Sequence, residues 1–238
     1  MSGHALVTGA ARGIGGATAA ALAAQGFAVT ATDVLPLDET VDRIREAGGT
    51  ATGRVVDVRD RAAVRETVDA AAADHGGLHA LVTCAGVYGR ETHIDALTED
   101  DVDLVLDVNV KGTLWMLQAG LPHLRRTAGR VVCLGSVAGR NGGVASGPHY
   151  GASKGGVHSI VRWASKAEAQ HGVLVNGIAP GAVETPMIEG RGYSPEGMPL
   201  KRFGRPEEIA AVAAFLVSDA ASFLTGAVVD VNGGIFQS

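Results

Sequence analysis

Short apolar runs of strand length alternate with helix-length segments from residue 5 to residue 231, and this alternation constrains the fold more than any other feature of the sequence. Strands that alternate with helices in this way form parallel sheets, because each strand is joined to the next by a right-handed crossover. The sequence therefore predicts an α/β fold, in which a doubly wound parallel sheet of about seven strands carries helices on both faces. The predicted strands are residues 5–8, 27–32, 52–56, 78–84, 130–134, 173–178 and 227–231.

No linker, repeat or low-complexity segment divides the 238 residues. A chain of this length can bury a full core in one domain. We therefore expect residues 1–238 to form a single domain.

Charge and hydropathy exclude several classes of partner. The net charge is −5 and both signs are spread along the chain, which argues against a nucleic-acid-binding surface. The longest apolar runs, such as residues 209–217, are far too short to span a membrane. A strand-like run begins almost at the first residue, which leaves no room for a signal peptide and favours a cytoplasmic location.

Cysteine and histidine give no sign of a metal site. Cys84 and Cys133 both lie in apolar runs, so we interpret them as small buried side chains rather than a disulfide. His75 and His79 are four residues apart, but Gly76-Gly77 between them interrupts the helix that a zinc pair needs.

A glycine-rich turn follows the first predicted strand and precedes a helix. Gly9, Gly13 and Gly15 are spaced so that a phosphate can approach free N–H groups at a helix N-terminus. The next strand ends at Asp33, where a carboxylate can accept hydrogen bonds from an adenosine ribose and repel a 2′-phosphate. Asp33 is also compatible with an ordinary turn at a strand end.

Further polar or glycine-rich positions follow the other strands. Ligands of open parallel sheets bind beyond the carboxyl ends of the strands. The features at such ends are the glycine turn, Asp33, Asp57, Ala85-Gly86, Ser136 and Pro180-Gly181.

Tyr150 and Lys154 are four residues apart in a predicted helix, so both lie on one face. An ammonium one turn from a phenol favours the phenolate and lowers the pKa of the tyrosine. The pair therefore suggests proton transfer, although alone it also fits a solvated helix face.

In this order, and over nearly the whole chain, the motifs resemble those of the short-chain dehydrogenase/reductase family. The matching residues are 8–15, Asp57-Val58, Asn109, Ser136, Tyr150, Lys154, 176–181, Thr185 and 230–234. The resemblance implies a Rossmann-like fold, hydride transfer to or from a nicotinamide nucleotide, and a lid over the substrate at about residues 186–203.

The resemblance also implies a role for each catalytic residue. Tyr150 would be the general acid or base, and Lys154 would bind the nicotinamide ribose and lower the pKa of Tyr150. Ser136 would hold the substrate carbonyl, and Asn109 would support a water that links Lys154 to solvent. Ser136 also fits a turn after the fifth strand, and Asn109 fits a helix kink.

The nucleotide-binding residues implied by the resemblance are Gly9, Arg12, Gly13, Ile14, Gly15, Asp33, Asp57, Val58, Ala85, Gly86, Tyr150, Lys154, Pro180, Gly181, Val183 and Thr185. One departure from the family is Thr83-Cys84, where Asn-Asn is usual, so we expect the fourth strand to be braced differently. The lid is short and rich in glycine and carries Met187, Tyr193 and Met198, which predicts an open, fairly apolar pocket. The candidate substrate contacts are Ser136, His149, Met187 and Tyr193.

Two residues point to different nucleotides. Asp33 favours NAD because it would face the 2′-phosphate of NADP. Arg12 lies in the glycine loop, where NADP-using relatives often carry a basic residue, although it can instead pair with a carboxylate or cap a neighbouring loop. We expect NAD, with NADP as the alternative.

The sequence thus predicts an NAD(H)-dependent oxidoreductase that interconverts a small-molecule secondary alcohol and a ketone. One alternative is an NADP(H)-dependent enzyme similar to 3-oxoacyl-acyl-carrier-protein reductases, and a more remote one is a nucleotide-binding regulator without catalysis. By the same resemblance, the helices at about residues 98–124 and 150–171 are expected to pair between subunits in a homodimer or homotetramer.

Overall fold

The computed structural model describes residues 3–143 and 146–237, and all its strands belong to one parallel sheet. The predicted α/β fold is confirmed, since seven strands lie in the order β3-β2-β1-β4-β5-β6-β7 with helices on both faces. The strands are β1 (Gly3–Thr8), β2 (Phe27–Asp33), β3 (Thr50–Val55), β4 (Ala80–Thr83), β5 (Arg130–Leu134), β6 (Leu174–Pro180) and β7 (Val228–Val231). The helices are α1 (Gly13–Ala24), α2 (Asp38–Glu46), α3 (Arg61–Asp74), α4 (Glu99–Leu106), α5 (Gly112–Thr127), α6 (Ala138–Asn141), α7 (Pro148–Glu168) and α8 (Pro206–Val217).

The order of the strands reverses between β1 and β4. From β1 the chain adds β2 and β3 on one side, and then returns to add β4 to β7 on the other. Crossovers therefore leave β1 and β4 in opposite directions, which opens a crevice at their carboxyl ends.

Alternate residues of each central strand serve two different cores. In β1, Ala5 and Val7 pack towards the layer of α1, α2 and α8, whereas Leu6 packs towards α3, α5 and α7. In β4 the same alternation separates Val82 from Leu81. Because successive strand side chains point to opposite faces, a strand covered on both faces is apolar throughout.

The sixth strand differs from its predicted end. It was expected to stop at residue 178, before Pro180, but it extends to Pro180, which pairs with Val231 of β7. The proline is tolerated because pairing with β5 has already ended at Ile178, and the Pro180 carbonyl accepts a hydrogen bond from Val137 N–H at 2.9 Å.

The long helix that begins after Thr98 is interrupted. Thr98 and Asp101 form a capping box at the start of α4. Between α4 and α5 the chain makes one wide π turn, Asp107–Lys111. Asn109 lies in the middle of this turn, so the sequence-based reading of a kink at this residue agrees with the structure.

Cys84 and Cys133 are free thiols. Cys133 is buried in β5, but Cys84 lies just beyond the end of β4 and is only half-buried, contrary to the expectation of two buried strand residues. Within residues 3–143 and 146–237, no helix is long and apolar enough to cross a membrane, and no cluster of three His, Cys, Asp or Glu side chains is arranged to hold a metal ion.

Candidate active site

A cavity of about 1070 Å³ opens at the carboxyl ends of the strands, where the strand order reverses. The predicted catalytic, nucleotide and substrate residues line this cavity, with two exceptions, Asn109 and His149. The fold therefore brings together in one cavity residues that lie far apart in the sequence, such as Gly9 and Tyr193.

The glycine turn leaves a space at the N-terminus of α1. A Cβ on Gly15 would lie 2.0 Å from the Gly9 carbonyl oxygen, and a Cβ on Gly9 would lie 2.7 Å from the Ala85 nitrogen. Gly9 and Gly13 also have positive φ angles, which favour glycine. No acidic side chain occupies the first turn of α1, so its free N–H groups suit an anion, and the space fits the pyrophosphate of a dinucleotide.

The Asp33 carboxylate is fixed at the end of β2. Its Oδ2 accepts a hydrogen bond from Ala11 N–H at 3.0 Å, and its Oδ1 accepts one from Leu35 N–H at 3.1 Å. Asp33 is thus a turn residue and a cavity residue at once. Arg12 has an exposed side chain that neither pairs with a carboxylate nor caps a loop within the described residues, so both of those alternatives for Arg12 are wrong.

Asp57 and Val58 line the cavity beyond β3. The Arg59 guanidinium donates from Nε to Oδ1 of Asp57 at 3.1 Å and from Nη2 to Oδ2 at 2.6 Å, and this lowers the pKa of Asp57. The charge of Asp57 is therefore matched locally, while Val58 is buried.

The loop after β4 is braced without the usual asparagines. Ala85 N–H donates to the Thr8 hydroxyl at 2.9 Å, which ties the loop to β1. Val87 is held at both backbone atoms by Asn109, whose Oδ1 accepts from Val87 N–H at 2.8 Å and whose Nδ2 donates to Val87 O at 2.9 Å. These contacts brace the loop that follows Thr83-Cys84 in this chain.

Asn109 lies behind the cavity wall. Besides Val87, its Nδ2 donates to the Ser153 hydroxyl at 3.0 Å, so the buried amide links the β4 loop to α7. The π turn directs this side chain away from solvent. The structure thus gives Asn109 a bracing contact behind the cavity wall, and its expected support of a water that links Lys154 to solvent stays a prediction.

Tyr150 and Lys154 lie together at the inner end of the cavity, and each is almost completely buried. The Lys154 ammonium donates to the Leu134 carbonyl at 2.9 Å and lies 5.7 Å from the centre of the Tyr150 ring. Ser136 follows β5 and lines the cavity together with Tyr150. The Ser136 hydroxyl accepts a hydrogen bond from Ala138 N–H at 3.1 Å. Ser136 is therefore both a turn residue after β5 and a residue of the candidate site.

The expected lowering of the Tyr150 pKa is wrong for this arrangement. Burial raises the pKa of Tyr150 to about 12, and only the hydrogen bond from Ser136 opposes this. Burial also lowers the pKa of Lys154 to about 8. Removing a charged group from water disfavours its charged form, and here that effect outweighs the attraction between ammonium and phenolate.

Sequence analysis missed His158, one turn after Lys154 on α7. Its Nε2 accepts a hydrogen bond from Ser136 N–H at 3.5 Å, and burial lowers the pKa of the imidazole to about 4. The ring fits because a Cβ on Gly135 would lie 2.3 Å from Nε2. The signal was the helical spacing, since His158 shares a face with Tyr150 and Lys154.

Tyr88 was also missed, although it follows Ala85-Gly86 at a strand end. Its ring stacks on Tyr150 with centroids 4.7 Å apart and an interplanar angle of 27°. Its hydroxyl is 2.5 Å from that of Tyr193, and burial raises its pKa well above the ordinary range. Tyr88 therefore connects the lid to the catalytic tyrosine.

His149 is placed differently from the expectation of a substrate contact or a solvated loop residue. It is buried in the first turn of α7, behind the cavity wall, against Gly89 and Val105. Helix formation directs its ring away from the face that Tyr150 shares with Lys154. Burial lowers its pKa.

The lid, residues 186–203, contains one short 3₁₀ turn, Pro195–Gly197, and otherwise irregular chain. Met187 and Tyr193 line the cavity, and so do Ile188 and Arg191. Met198, which was expected to contribute to an apolar pocket, is a buried residue of the lid and does not line the cavity.

Known proteins match this chain over nearly its full length. A family profile described as Enoyl-(Acyl carrier protein) reductase matches residues 9–236. The 3-oxoacyl-(acyl-carrier-protein) reductase FabG of Thermotoga maritima is 36% identical over 238 residues, covering 97% of this chain and 96% of that protein. The cis-4-hydroxycyclohexanecarboxylate dehydrogenase of Sinomonas cyclohexanicum is 37% identical over 237 residues, covering 97% of this chain and 95% of that protein.

Solved structures share the fold as well. A crystal structure from Agrobacterium tumefaciens with bound NADP has a TM-score of 0.89 and 36% identity, covering 98% of this chain and 95% of that chain.

Proposed function

The chain belongs to the short-chain dehydrogenase/reductase family, and we propose that it is an NAD(H)-dependent enzyme that interconverts a secondary alcohol and a ketone. It is an oxidoreductase, as its relatives are. The observation that carries the proposal is the convergence of Ser136, Tyr150 and Lys154 at the inner end of a cavity whose outer end fits a dinucleotide. Nucleotide binding and catalysis would share one domain, residues 1–238, with a lid at 186–203.

A bound nicotinamide nucleotide supplies the acceptor for a hydride, or its donor in the reverse direction. During oxidation, the carbinol C–H bond breaks and its hydrogen leaves with both electrons. Tyr150 in its phenolate form takes the hydroxyl proton, so a C=O double bond forms and charge is balanced. In the reverse direction Tyr150 returns that proton to the oxygen.

Ser136 and Lys154 prepare Tyr150 for this transfer. The Ser136 hydroxyl, which lines the same cavity as Tyr150, can donate its hydrogen to the substrate oxygen and so orient that oxygen towards the phenol. Lys154, with its pKa lowered to about 8, would bind the nucleotide ribose and move a proton to solvent. Asn109 would maintain the cavity wall through Val87 and Ser153.

The choice of NAD over NADP is supported by Asp33. Its carboxylate is fixed by two backbone N–H groups at the cavity edge, so it cannot turn away from a 2′-phosphate. The test is fluorescence-detected binding of NADH and NADPH to the purified protein at one salt concentration. Tighter NADH binding is expected, and Asp33→Ala should remove the preference. Tighter NADPH binding by the unchanged protein would contradict the proposal.

The strongest alternative is an NADP(H)-dependent 3-oxoacyl-acyl-carrier-protein reductase. The exposed Arg12, the Thermotoga maritima relative and the NADP-bound structure favour it. Rates with acetoacetyl-CoA and NADPH, compared with rates on cyclohexanol and 4-hydroxycyclohexanecarboxylate with NAD, separate the two functions. A regulator without catalysis would show turnover with none of these substrates.

A homodimer or homotetramer is proposed from exposed apolar side chains on the long helices. Leu104 on α4, Leu114 on α5 and Trp163 on α7 are 43%, 40% and 67% exposed. Such residues commonly lie in subunit interfaces. Light scattering after size exclusion tests this, and Trp163→Asp should shift the mass downwards if α7 contributes.

A further inference from the structure

We propose that Arg191 on the lid is a binding site for a carboxylate carried by the substrate, so that the preferred substrates are small cyclic hydroxy acids and oxo acids. The proposal rests on the proposed alcohol–ketone chemistry and adds the substrate class. It is carried by the position of the guanidinium, by its unused hydrogen-bond donors and by the pairing of the neighbouring Arg90 with Asp101.

Arg191 and the catalytic Tyr150 both contact the ring of Tyr88. The Arg191 guanidinium carbon is 4.3 Å from the centre of the Tyr88 ring, and the Tyr88 ring stacks on the Tyr150 ring with centroids 4.7 Å apart. The stack fixes the cation at the cavity wall, where it gains a cation–π contact. A substrate whose hydroxyl reaches Tyr150 can therefore place a second group at Arg191 if its two ends are separated by about the size of a six-membered ring.

The guanidinium keeps its best donors for a ligand. Within the described residues, the hydrogen bonds of Arg191 both use Nη1, which donates to Gly89 O at 3.4 Å and to a Glu91 carboxylate oxygen at 3.3 Å. The edge formed by Nε and Nη2 makes no hydrogen bond to these residues. That edge is the one that binds a carboxylate through two parallel hydrogen bonds, and such a pair is stronger than one long contact.

The neighbouring arginine in the substrate half of the cavity is already matched. Arg90 uses Nε and Nη2 on Asp101, with a shortest distance of 2.7 Å, and its Nη2 also donates to Ala96 O at 2.7 Å. Arg59 holds Asp57 in the same way, in the nucleotide half of the cavity. Arg191 is thus the cation of the substrate half that retains a free donor edge among the described residues.

The same contacts join substrate binding to the lid. Tyr193, two residues after Arg191, places its hydroxyl against that of Tyr88. A carboxylate on Arg191 would therefore hold the lid segment on Tyr88 from the substrate side. Glu91 would compete with it, since it is the carboxylate that Arg191 contacts in the free protein.

The test compares 4-hydroxycyclohexanecarboxylate with its methyl ester, which has the same ring and hydroxyl but no charge. Initial rates are measured with the preferred nucleotide at saturation. For the unchanged enzyme, kcat/KM for the carboxylate should exceed that for the ester by about tenfold or more. Arg191→Leu should lower kcat/KM for the carboxylate by about 10- to 100-fold, mainly through KM, and change that for the ester by less than about threefold.

Two further variants separate binding from lid structure. Arg191→Lys keeps the charge but loses the paired donors, so it should recover part of the carboxylate activity. Arg65→Gln removes a positive charge from the exposed face of α3 and should leave both substrates unaffected. An equal loss on carboxylate and ester in Arg191→Leu would mean that Arg191 only supports the lid, and it would overturn the proposal.

The remaining outcomes are also decisive. Acetoacetyl-CoA carries phosphates, whereas acetoacetyl-N-acetylcysteamine does not. If Arg191→Leu affects only reduction of acetoacetyl-CoA, the site binds phosphate and the carboxylate proposal is wrong. If no ring alcohol, ring ketone or thioester is turned over by the unchanged enzyme, the proposed function itself fails. Turnover of the ester with no preference for the carboxylate overturns the Arg191 site alone.

Discussion

The backbone N–H of Ser136 donates to Nε2 of His158, a buried imidazole on the helix that also carries Tyr150 and Lys154. This contact holds the serine turn against α7 from behind. Ser136 is therefore linked to the helix of Tyr150 and Lys154 in the protein interior, and all three residues also line the cavity.

Loss of this acceptor should disturb Ser136. His158→Leu would leave a buried N–H without a partner, which costs about 1–3 kcal/mol, and it would loosen the serine turn. We expect kcat/KM to fall by about 10- to 100-fold and the thermal midpoint to fall as well. His158→Gln, which offers an amide oxygen, should recover much of the activity. A full-rate His158→Leu enzyme would show that the contact is dispensable.

Tyr150→Phe should abolish turnover while nucleotide binding survives. The phenol is the proton acceptor during oxidation, and general acid–base groups contribute about 10²- to 10⁴-fold to rate. Tyr88→Phe is the matched control, because it keeps the stack on Tyr150 and removes only the hydroxyl contact to Tyr193. Retained activity in Tyr150→Phe would exclude the assigned role.

The glycine turn should not accept a methyl group at Gly15. A Cβ there would lie 2.0 Å from the Gly9 carbonyl, so Gly15→Ala must displace the turn that faces the nucleotide. We expect NADH affinity to fall by about 100-fold or more. Gly197→Ala is the control, since no atom lies within 4 Å of its Cβ position and binding should be unchanged. Equilibrium titration of nucleotide fluorescence measures both.

Stability should decline as pH falls from about 6.5 to 4. Burial lowers the pKa of His4 and of His158 to about 4, from an ordinary value of 6.5. In this window the unfolded chain binds protons that the folded protein does not, so the free energy of unfolding decreases with decreasing pH. Urea unfolding at several pH values measures the slope. His4→Gln should reduce the slope, and an unchanged slope would show that His4 is not responsible.

Much of the architecture could be predicted from the sequence. Apolar strand runs and their following polar residues were enough to predict the sheet, because burial on both faces demands continuous apolar strands and parallel pairing aligns the strand ends. Gly9, Asp33 and Ser136 were found in this way, and they line one cavity.

Other features depended on contacts between distant segments. The raised pKa of Tyr150 follows from burial by the lid and by Tyr88, which local spacing does not reveal. His149 and His158 are both buried on α7, yet only His158 meets Ser136, because only its side of the helix faces β5. The position of Arg191 in the site depends on its contact with Tyr88, which lies more than a hundred residues away in the chain.

The wide turn at Asp107–Lys111 also has a consequence for insertions and deletions. A π turn contains one residue more than an α-helical turn. Deleting one residue there would restore a continuous helix, but it would rotate α4 relative to α5 by about 100°. Val105 and the Thr98 cap would then lose their alignment with the rest of the fold, and the amide of Asn109 would leave the β4 loop. We therefore expect the number of residues between α4 and α5 to be fixed, even where their identities vary.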